Sequence, residues 1–399
     1  GINAYHGDAS ACIFIENKLV AAAEEERFVR IKHAAGFPYE AINFCLNFSN
    51  IKLSDVDQIA INRNPKQKFI PKILYASKNI FSTKFLFNRI NNLKKLGSLK
   101  NELEKMFNEK CKANIFNIDH HLSHIASSVL FSQFNACNFI SVDGFGDFTS
   151  TVTGYYDGEK INKFNEVLFP HSLGLFYTAV TQFLGFLSYG DEYKVMGLAP
   201  YGEPKYFNQI SKMINIKENT FTLDLKYFEH HTGNVEMTWL SGEPKIGKVY
   251  SKELVDLLGP ERSKHDQINQ LHIDIASSAQ KVYEETLFYL LNRLYSSNKS
   301  DFLCVSGGCG MNSVANGKIL SETKYKNIFV PPSPGDSGGA IGSASYIIKK
   351  QNKNLKNFNC TPYLGPKFND EEISKVIKNY KKEISKQNIK IRKFDKNHK

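Results

Sequence analysis

Apolar and polar positions lay out a series of elements along the chain. Residues 9–15 (ASACIFI) and 19–23 (LVAAA) are apolar runs separated by Glu16-Asn17-Lys18, a spacing that predicts a β-hairpin. Residues 38–47 (PYEAINFCLN) repeat apolar positions at helical spacing with Pro at the first position, and 59–61 (IAI) follow as a short strand. Residues 63–112 are rich in Lys and Asn with few strong core positions, so a helical excursion from the core, or a lid, is expected there. Residues 138–143 (NFISVD) read as a strand ending at a Gly-rich turn, and 151–156 (TVTGYY) return as its partner. Two such hairpins amount to a repeated design.

Further along, Ile273, Ala276, Ala279, Val282, Leu287, Leu290, Leu291 and Leu294 recur mostly at i+3/i+4 spacing, which predicts a long amphipathic helix over 268–294. Residues 302–306 (FLCVS) and 328–330 (IFV) are strands, and a helix covers 337–349. Strands alternating with helices predict an α/β fold. Near 353 the chain becomes Asn/Lys-rich and then starts a new pattern, Tyr363-Leu-Gly-Pro, followed by a charged helix from Asp370. The expected division is 1–352 and 353–399, with the boundary near 352–362.

Composition narrows the class. A chain of 399 residues with 42% hydrophobic residues can bury a sizeable core in two or three lobes. The net charge of +11 is concentrated: residues 349–399 hold 15 Lys/Arg against 5 Asp/Glu, and residues 63–112 hold 13 against 3. Charge confined to two stretches, not one aromatic-studded face, argues against a nucleic-acid partner. No run of about 18 uncharged apolar residues and no signal-peptide pattern occurs, so neither membrane insertion nor secretion is expected. Seven Cys without Cys-x-x-Cys spacing fit a reducing cytoplasm. The opening Gly-Ile-Asn is already strand-like, so the chain is expected to start after its initiator Met.

The chemistry concentrates in a few segments. In Asp119-His120-His121-Leu122-Ser123-His124, His120 and His124 stand four apart and share one helix face, where their imidazoles could hold a cation. The plain alternative is a chance pair on a polar face. Asp143 and Asp336, each read as ending a strand, would complete a set of two imidazoles and two carboxylates suited to iron, zinc or manganese. Three Gly-rich turns, at 143–147, 306–312 and 334–339, offer backbone N–H groups to phosphate oxygens, which favours nucleotide binding. Tyr5-His6-Gly7-Asp8 places an imidazole and a carboxylate at a turn. Glu24-Glu25-Glu26 reads by default as a solvated face, while Lys32 and His33 stand where cations could hold a phosphate or carbamoyl oxygen.

These segments together resemble a family. The run YHGDASACIFIENKLVAAAEEERFVRIKH, the segment DHHLSH with SVDGFGD, the string DEYKVMGLAPYG, and SGGCGMNSVANGKI with PPSPGDSGGAIGSA are similar to the NodU/CmcH carbamoyltransferases, over residues 1 to about 350. The resemblance implies the two-lobed, ribonuclease-H-like fold of actin, sugar kinases and heat-shock chaperones. It implies Fe2+, or another divalent transition metal, on His120, His124, Asp143 and Asp336. It also implies carbamoyl-adenylate, made from carbamoyl phosphate and ATP with Mg2+, bound near Asp8, Gly144, Gly146, Gly307, Gly308 and Asn312. His6 would orient the carbamoyl group or serve as general acid/base, and Lys32 would be its electrostatic partner. The acceptor would be a hydroxyl of a glycan or natural product, its base left open between Asp191 and the stretch Glu229-His230-His231. Family members continue into a YrdC-like domain that makes the adenylate; Tyr363-Leu-Gly-Pro looks like its beginning, so this domain is expected in cis or in trans. The rival readings are a sugar-kinase-like phosphotransferase and a non-catalytic, nucleotide-dependent binding module. Only carbamoyl transfer gives the His pair a task.

Overall fold

The computed structural model describes residues 1–78, 99–232, 235–239, 241–351, 355 and 361–394. Two compact units divide at Leu364/Gly365, a few residues beyond the expected boundary.

Within the first unit, two five-stranded sheets share one plan. In the first, β1 (Ile2–Asn3), β2 (Ser10–Ile15), β3 (Lys18–Glu24), β4 (Gln58–Ile61) and β5 (Asn114–Asn117) lie in the order β3-β2-β1-β4-β5. β1, β2 and β3 are antiparallel neighbours, whereas β1–β4 and β4–β5 pair in parallel. The predicted hairpin is present. Its two-residue turn puts Glu16 and Asn17 at φ 49 and 66, the left-handed pair whose twist matches the flanking strands.

The second sheet joins β6 (Cys137–Gly146), β7 (Thr149–Tyr156) and β8 (Ile161–Leu168) to two strands from late in the chain. Between them lie two small hairpins, β9 (Ile214–Ile216) with β10 (Phe221–Leu223), and β11 (Met237–Thr238) with β12 (Lys245–Ile246). With β13 (Phe302–Ser306) and β14 (Asn327–Phe329) the order is β14-β13-β6-β7-β8. Here too three strands form an antiparallel meander, and two parallel strands add to its first member. The repeated design read from the hairpins is therefore a repeated sheet.

Strand alternation in β6 decides what each face meets. Ile140 and Val142 enter the core shared with helices Leu173–Phe183 and Gln270–Ser297, the latter being the predicted long helix. Cys137 and Phe139 face the other way, onto Ile125 and Val129 of helix His120–Val129. Continuing that side through Ser141 delivers Asp143 to the same helix.

Helix Asp336–Lys350 crosses helix His120–Val129 at backbone contact. A Cβ on Gly342 would stand 1.8 Å from the Ser123 carbonyl oxygen, so only glycine permits the approach. The Ser343 hydroxyl, on the same helix, reaches the Ala60 carbonyl of the first sheet at 3.3 Å. One helix thereby touches both halves.

Several expectations need correction. Asp336 does not end a strand; it opens helix Asp336–Lys350, after a Pro- and Gly-containing loop. β6 runs through Gly146 with a register shift, and the turn falls at Asp147 and Phe148. Pro38 is the residue before helix Tyr39–Ser49, not its first. The acidic run is not a solvated face: Glu25 is buried and accepts from the backbone N–H groups of Glu40 and Ala41, capping that helix. The excursion expected over 63–112 fails at its C-terminal end, where helix Leu99–Phe107 buries Leu99 and Leu103 in the first core and Cys111 follows them. Helix Phe69–Lys78 does leave Phe69, Ile70, Ile73 and Leu74 exposed, and 79–98 lie outside the described residues.

In the second unit, the predicted helix is Asp370–Asn379, closed at its start by an Asn369/Glu372 capping box, and Lys381–Lys386 follows. No helix among the described residues is long and apolar enough to cross a membrane.

Candidate active site

Helix His120–Val129 begins at Asp119, whose carboxylate accepts from Leu122 N–H at 2.8 Å. Its first residue is held a second time, because Asp147 Oδ2 accepts from the N–H groups of His120 at 3.0 Å and of Asn64 at 2.8 Å. One carboxylate thus ties the β6–β7 turn, the helix and the end of β4 together.

Helical spacing then stacks His120 under His124, with their Nε2 atoms 2.9 Å apart. His120 Nε2 lies 3.1 Å from Asp143 Oδ2 and 3.4 Å from Asp336 Oδ1, and His124 Nε2 lies 3.4 Å from the same Asp336 atom. Two imidazole nitrogens and two carboxylate oxygens converge within 4.8 Å of one another, and all four side chains are buried. His121 takes no part. Its ring bridges Ser141 Oγ and the Thr149 carbonyl, and burial with the neighbouring imidazoles pushes its pKa down to about 3.

Electrostatics bind the cluster. Burial disfavours the imidazolium of His120, but the Asp143 contact and the Asp336 charge outweigh it and push the pKa up to about 9. Burial and Asp336 likewise work against the Asp143 carboxylate, and the two imidazoles overcome them and hold its pKa below the ordinary range. Asp336 has two faces: Oδ2 meets His6 Nδ1, while Oδ1 has no hydrogen-bond partner among the described residues. An orphaned buried carboxylate oxygen, aimed at two facing ring nitrogens, fits a divalent transition metal.

The cluster lies at a cavity of about 970 Å³ whose walls include His6, Asp8, Lys32, Gly144, Gly146, Gly308 and Asn312. Many of the residues singled out in the sequence thus line one space, while Gly307, His124, Asp191, Glu229 and His231 do not. Gly307, at φ 87, turns the chain from β13 behind the wall, and His124 sits beneath His120 without lining the cavity. Gly308 N–H donates to Asp143 Oδ1 at 2.8 Å, and a Cβ there would stand 2.7 Å from that oxygen. This glycine therefore serves the carboxylate directly. Asn312 caps helix Ser313–Asn316 and pairs with Gln280, with only part of it facing the cavity.

On the first lobe, Asp8 Oδ1 lies 2.7 Å from His33 Nδ1. Burial lowers the His33 pKa, and Asp8 more than reverses this, leaving it raised. Lys32 lies 4.6 Å above the Tyr193 ring. Of the proposed acceptor bases, His230 lines the cavity, but its Nε2–H donates to the Pro170 carbonyl and burial pushes its pKa down to about 4. Asp191 is buried against Lys194, and neither Glu229 nor His231 lines the cavity.

Sequence reasoning gave no role to Trp239, Tyr189, Arg63 or Asp147, all of which line it. Trp239 is the chain's only Trp, a signal that was available. The others carry none that spacing reveals.

An α/β architecture with duplicated sheets and a buried His₂Asp₂ cluster at one cavity defines the class of site. A family described as "Carbamoyltransferase N-terminus" matches residues 1–345, and the chain belongs to it. An uncharacterized protein, sll1178, of Synechocystis is 37% identical over 95% of this chain and 62% of its own length. Nodulation protein NolNO of Sinorhizobium fredii is 29% identical over 86% of this chain and 46% of its own. The chain thus spans about half to three-fifths of the length of these curated relatives. Among solved structures, component A of (R)-2-hydroxyglutaryl-CoA dehydratase from Acidaminococcus fermentans covers 88% of this chain and is itself covered to 98%, at 14% identity and a TM-score of 0.46.

Proposed function

We propose that this chain carries out O-carbamoyl transfer from carbamoyl-adenylate to a hydroxyl of a glycan or natural product, on a two-lobed fold of the actin and sugar-kinase type. The repeated strand order of its two sheets supports that fold. The observation that carries the function is the convergence of His120, His124, Asp143 and Asp336 beside His6 on a cavity large enough for donor and acceptor together, in a chain of the carbamoyltransferase family.

In this reading the acceptor oxygen attacks the carbamoyl carbon, the bond from that carbon to the adenylate oxygen breaks, AMP departs, and the hydroxyl proton passes to a base on the cavity wall. His120, His124, Asp143 and Asp336 would hold iron or another divalent transition metal, whose positive charge favours the developing oxyanion. His6 sets Nδ1 against Asp336 Oδ2, and its Nε2 is the nitrogen proposed to carry a proton or a hydrogen bond to the transferring group. Lys32 supplies positive charge near the phosphate. Gly144, Gly146, Gly307, Gly308, Asn312 and Asp8 would border the nucleotide, with Mg2+ accompanying ATP where the adenylate is made. A YrdC-like domain, in cis or in trans, would supply that activation. A sugar-kinase-like reaction would leave the His₂Asp₂ set without a task.

The test is mass analysis of hydroxylated glycans incubated with the metal-loaded protein and carbamoyl-adenylate. A carbamoyl mass increment is expected, and its absence across donor-loaded reactions overturns the assignment.

A further inference from the structure

His6 is enclosed on nearly every side. Asp336 Oδ2 lies against its Nδ1, the His120 ring lies 5.5 Å away at 47°, and Trp239 lies on it face to face at 4.8 Å and 5°. Trp239 follows β11 on the β11–β12 hairpin, and the same loop is pinned to the first lobe where Ala35 N–H donates to the Gly242 carbonyl at 2.8 Å. Tyr189 packs against the indole at 5.3 Å, edge to face, and a Cβ on Gly7 would collide with the Tyr189 ring. The indole is therefore braced, and it holds the plane of the imidazole while Asp336 distinguishes its two edges.

That orientation matters because an imidazole beside a carboxylate can swing about χ2 and exchange its nitrogens. A flat indole in parallel contact opposes the swing, since tilting the imidazole would drive its edge into the ring. Nδ1 then stays beside Asp336, and Nε2 is left on the opposite edge of a ring that lines the cavity. We propose that Trp239 is a positioning residue for His6, fixing which ring nitrogen faces the transferring group. This rests on the carbamoyl-transfer reading for its kinetic consequence, and on the ring geometry alone for the stack.

If Trp239 acts through His6, its loss cannot cost anything further once His6 is gone. The experiment is a double-mutant cycle of Trp239→Leu and His6→Ala, with turnover, donor affinity and bound metal measured for each protein. Trp239→Leu should lower kcat on the order of tenfold, leave donor affinity and metal content near wild type, and add nothing in the His6→Ala background. Trp239→Phe, which keeps a ring face, should recover part of the loss. Because the chain has a single Trp, its emission reads the stack without any activity: His6→Ala should change the intensity clearly. Additive losses, or an emission that His6→Ala leaves unaltered, overturn the assignment. Absence of carbamoyl transfer in the wild type would instead refute the functional reading, while the emission still decides the stack.

Discussion

Replacing Gly342 by Ala tests whether helix packing sets the geometry of the His₂Asp₂ cluster. The new Cβ would stand 1.8 Å from the Ser123 carbonyl oxygen, backbone that has no rotamer to yield. Helices Asp336–Lys350 and His120–Val129 must part by about 1.6 Å to restore ordinary contact. Two effects compete. Alanine in a helix interior is favoured over glycine by about 1 kcal/mol, whereas overpacking a closely fitted contact costs about 1–3 kcal/mol and leaves a gap along the rest of the interface. The overlap wins over most of that range, so urea denaturation should show a net loss of up to about 2 kcal/mol. Asp336 rides on one helix and His120 and His124 on the other, and metal sites tolerate shifts of only about 0.2 Å, so metal occupancy should fall further than stability does. Gly197→Ala is the control. It lies in helix Glu192–Leu198 with nothing within 4 Å of the added Cβ, and should stabilise by about 0.4–1 kcal/mol. Full metal occupancy and undiminished stability in Gly342→Ala would refute the packing argument.

His124→Ala and Asp336→Asn should each lose most of the bound transition metal by elemental analysis, and full occupancy in either would remove that residue from the set. Gly308→Val should disturb Asp143 as well as the cavity wall, so both metal content and adenine-nucleotide affinity should drop in calorimetry; a loss of nucleotide alone would contradict the Gly308–Asp143 link. Since the folded pKa of His33 is raised through Asp8, that pair should stabilise the protein fully below the ordinary His pKa and lose its contribution as pH rises through the raised value. Asp8→Asn should accordingly narrow its stability difference from wild type as the pH climbs above 7, and a difference constant over pH would deny the pair this role.

Much of the fold was legible because short apolar runs bounded by turn residues mark strands and a 3.6 period marks the long helix, as the hairpin Ser10–Glu24 and helix Gln270–Ser297 bear out. The His₂Asp₂ cluster was legible in residue type, with His120 and His124 sharing a helix face. What spacing could not give is why Asp143 and Asp336 meet them. Asp143 arrives by alternation along β6, and Asp336 arrives through a glycine contact between helices more than 200 residues apart in the chain. Helix Leu99–Phe107 was misread because its anchors are few, Leu99 and Leu103 with Phe107 packed beside them, a signal diluted by the surrounding Lys and Asn. Glu25 was misread for a related reason: a buried cap and a solvated charge look alike until the partner N–H groups are placed. Trp239 reaches His6 from a short hairpin 233 positions away, a proximity no local pattern encodes.

The central claim, that the His₂Asp₂ cluster and His6 serve carbamoyl transfer, is tested most directly by one comparison. Metal-loaded wild type and His124→Ala are each given carbamoyl-adenylate and a panel of hydroxylated glycans, and the products are weighed. The account predicts a carbamoyl mass increment on an acceptor, with release of AMP, in the wild type and its near absence in the variant. Equal product from both proteins, or AMP release with no acceptor modified, would contradict it.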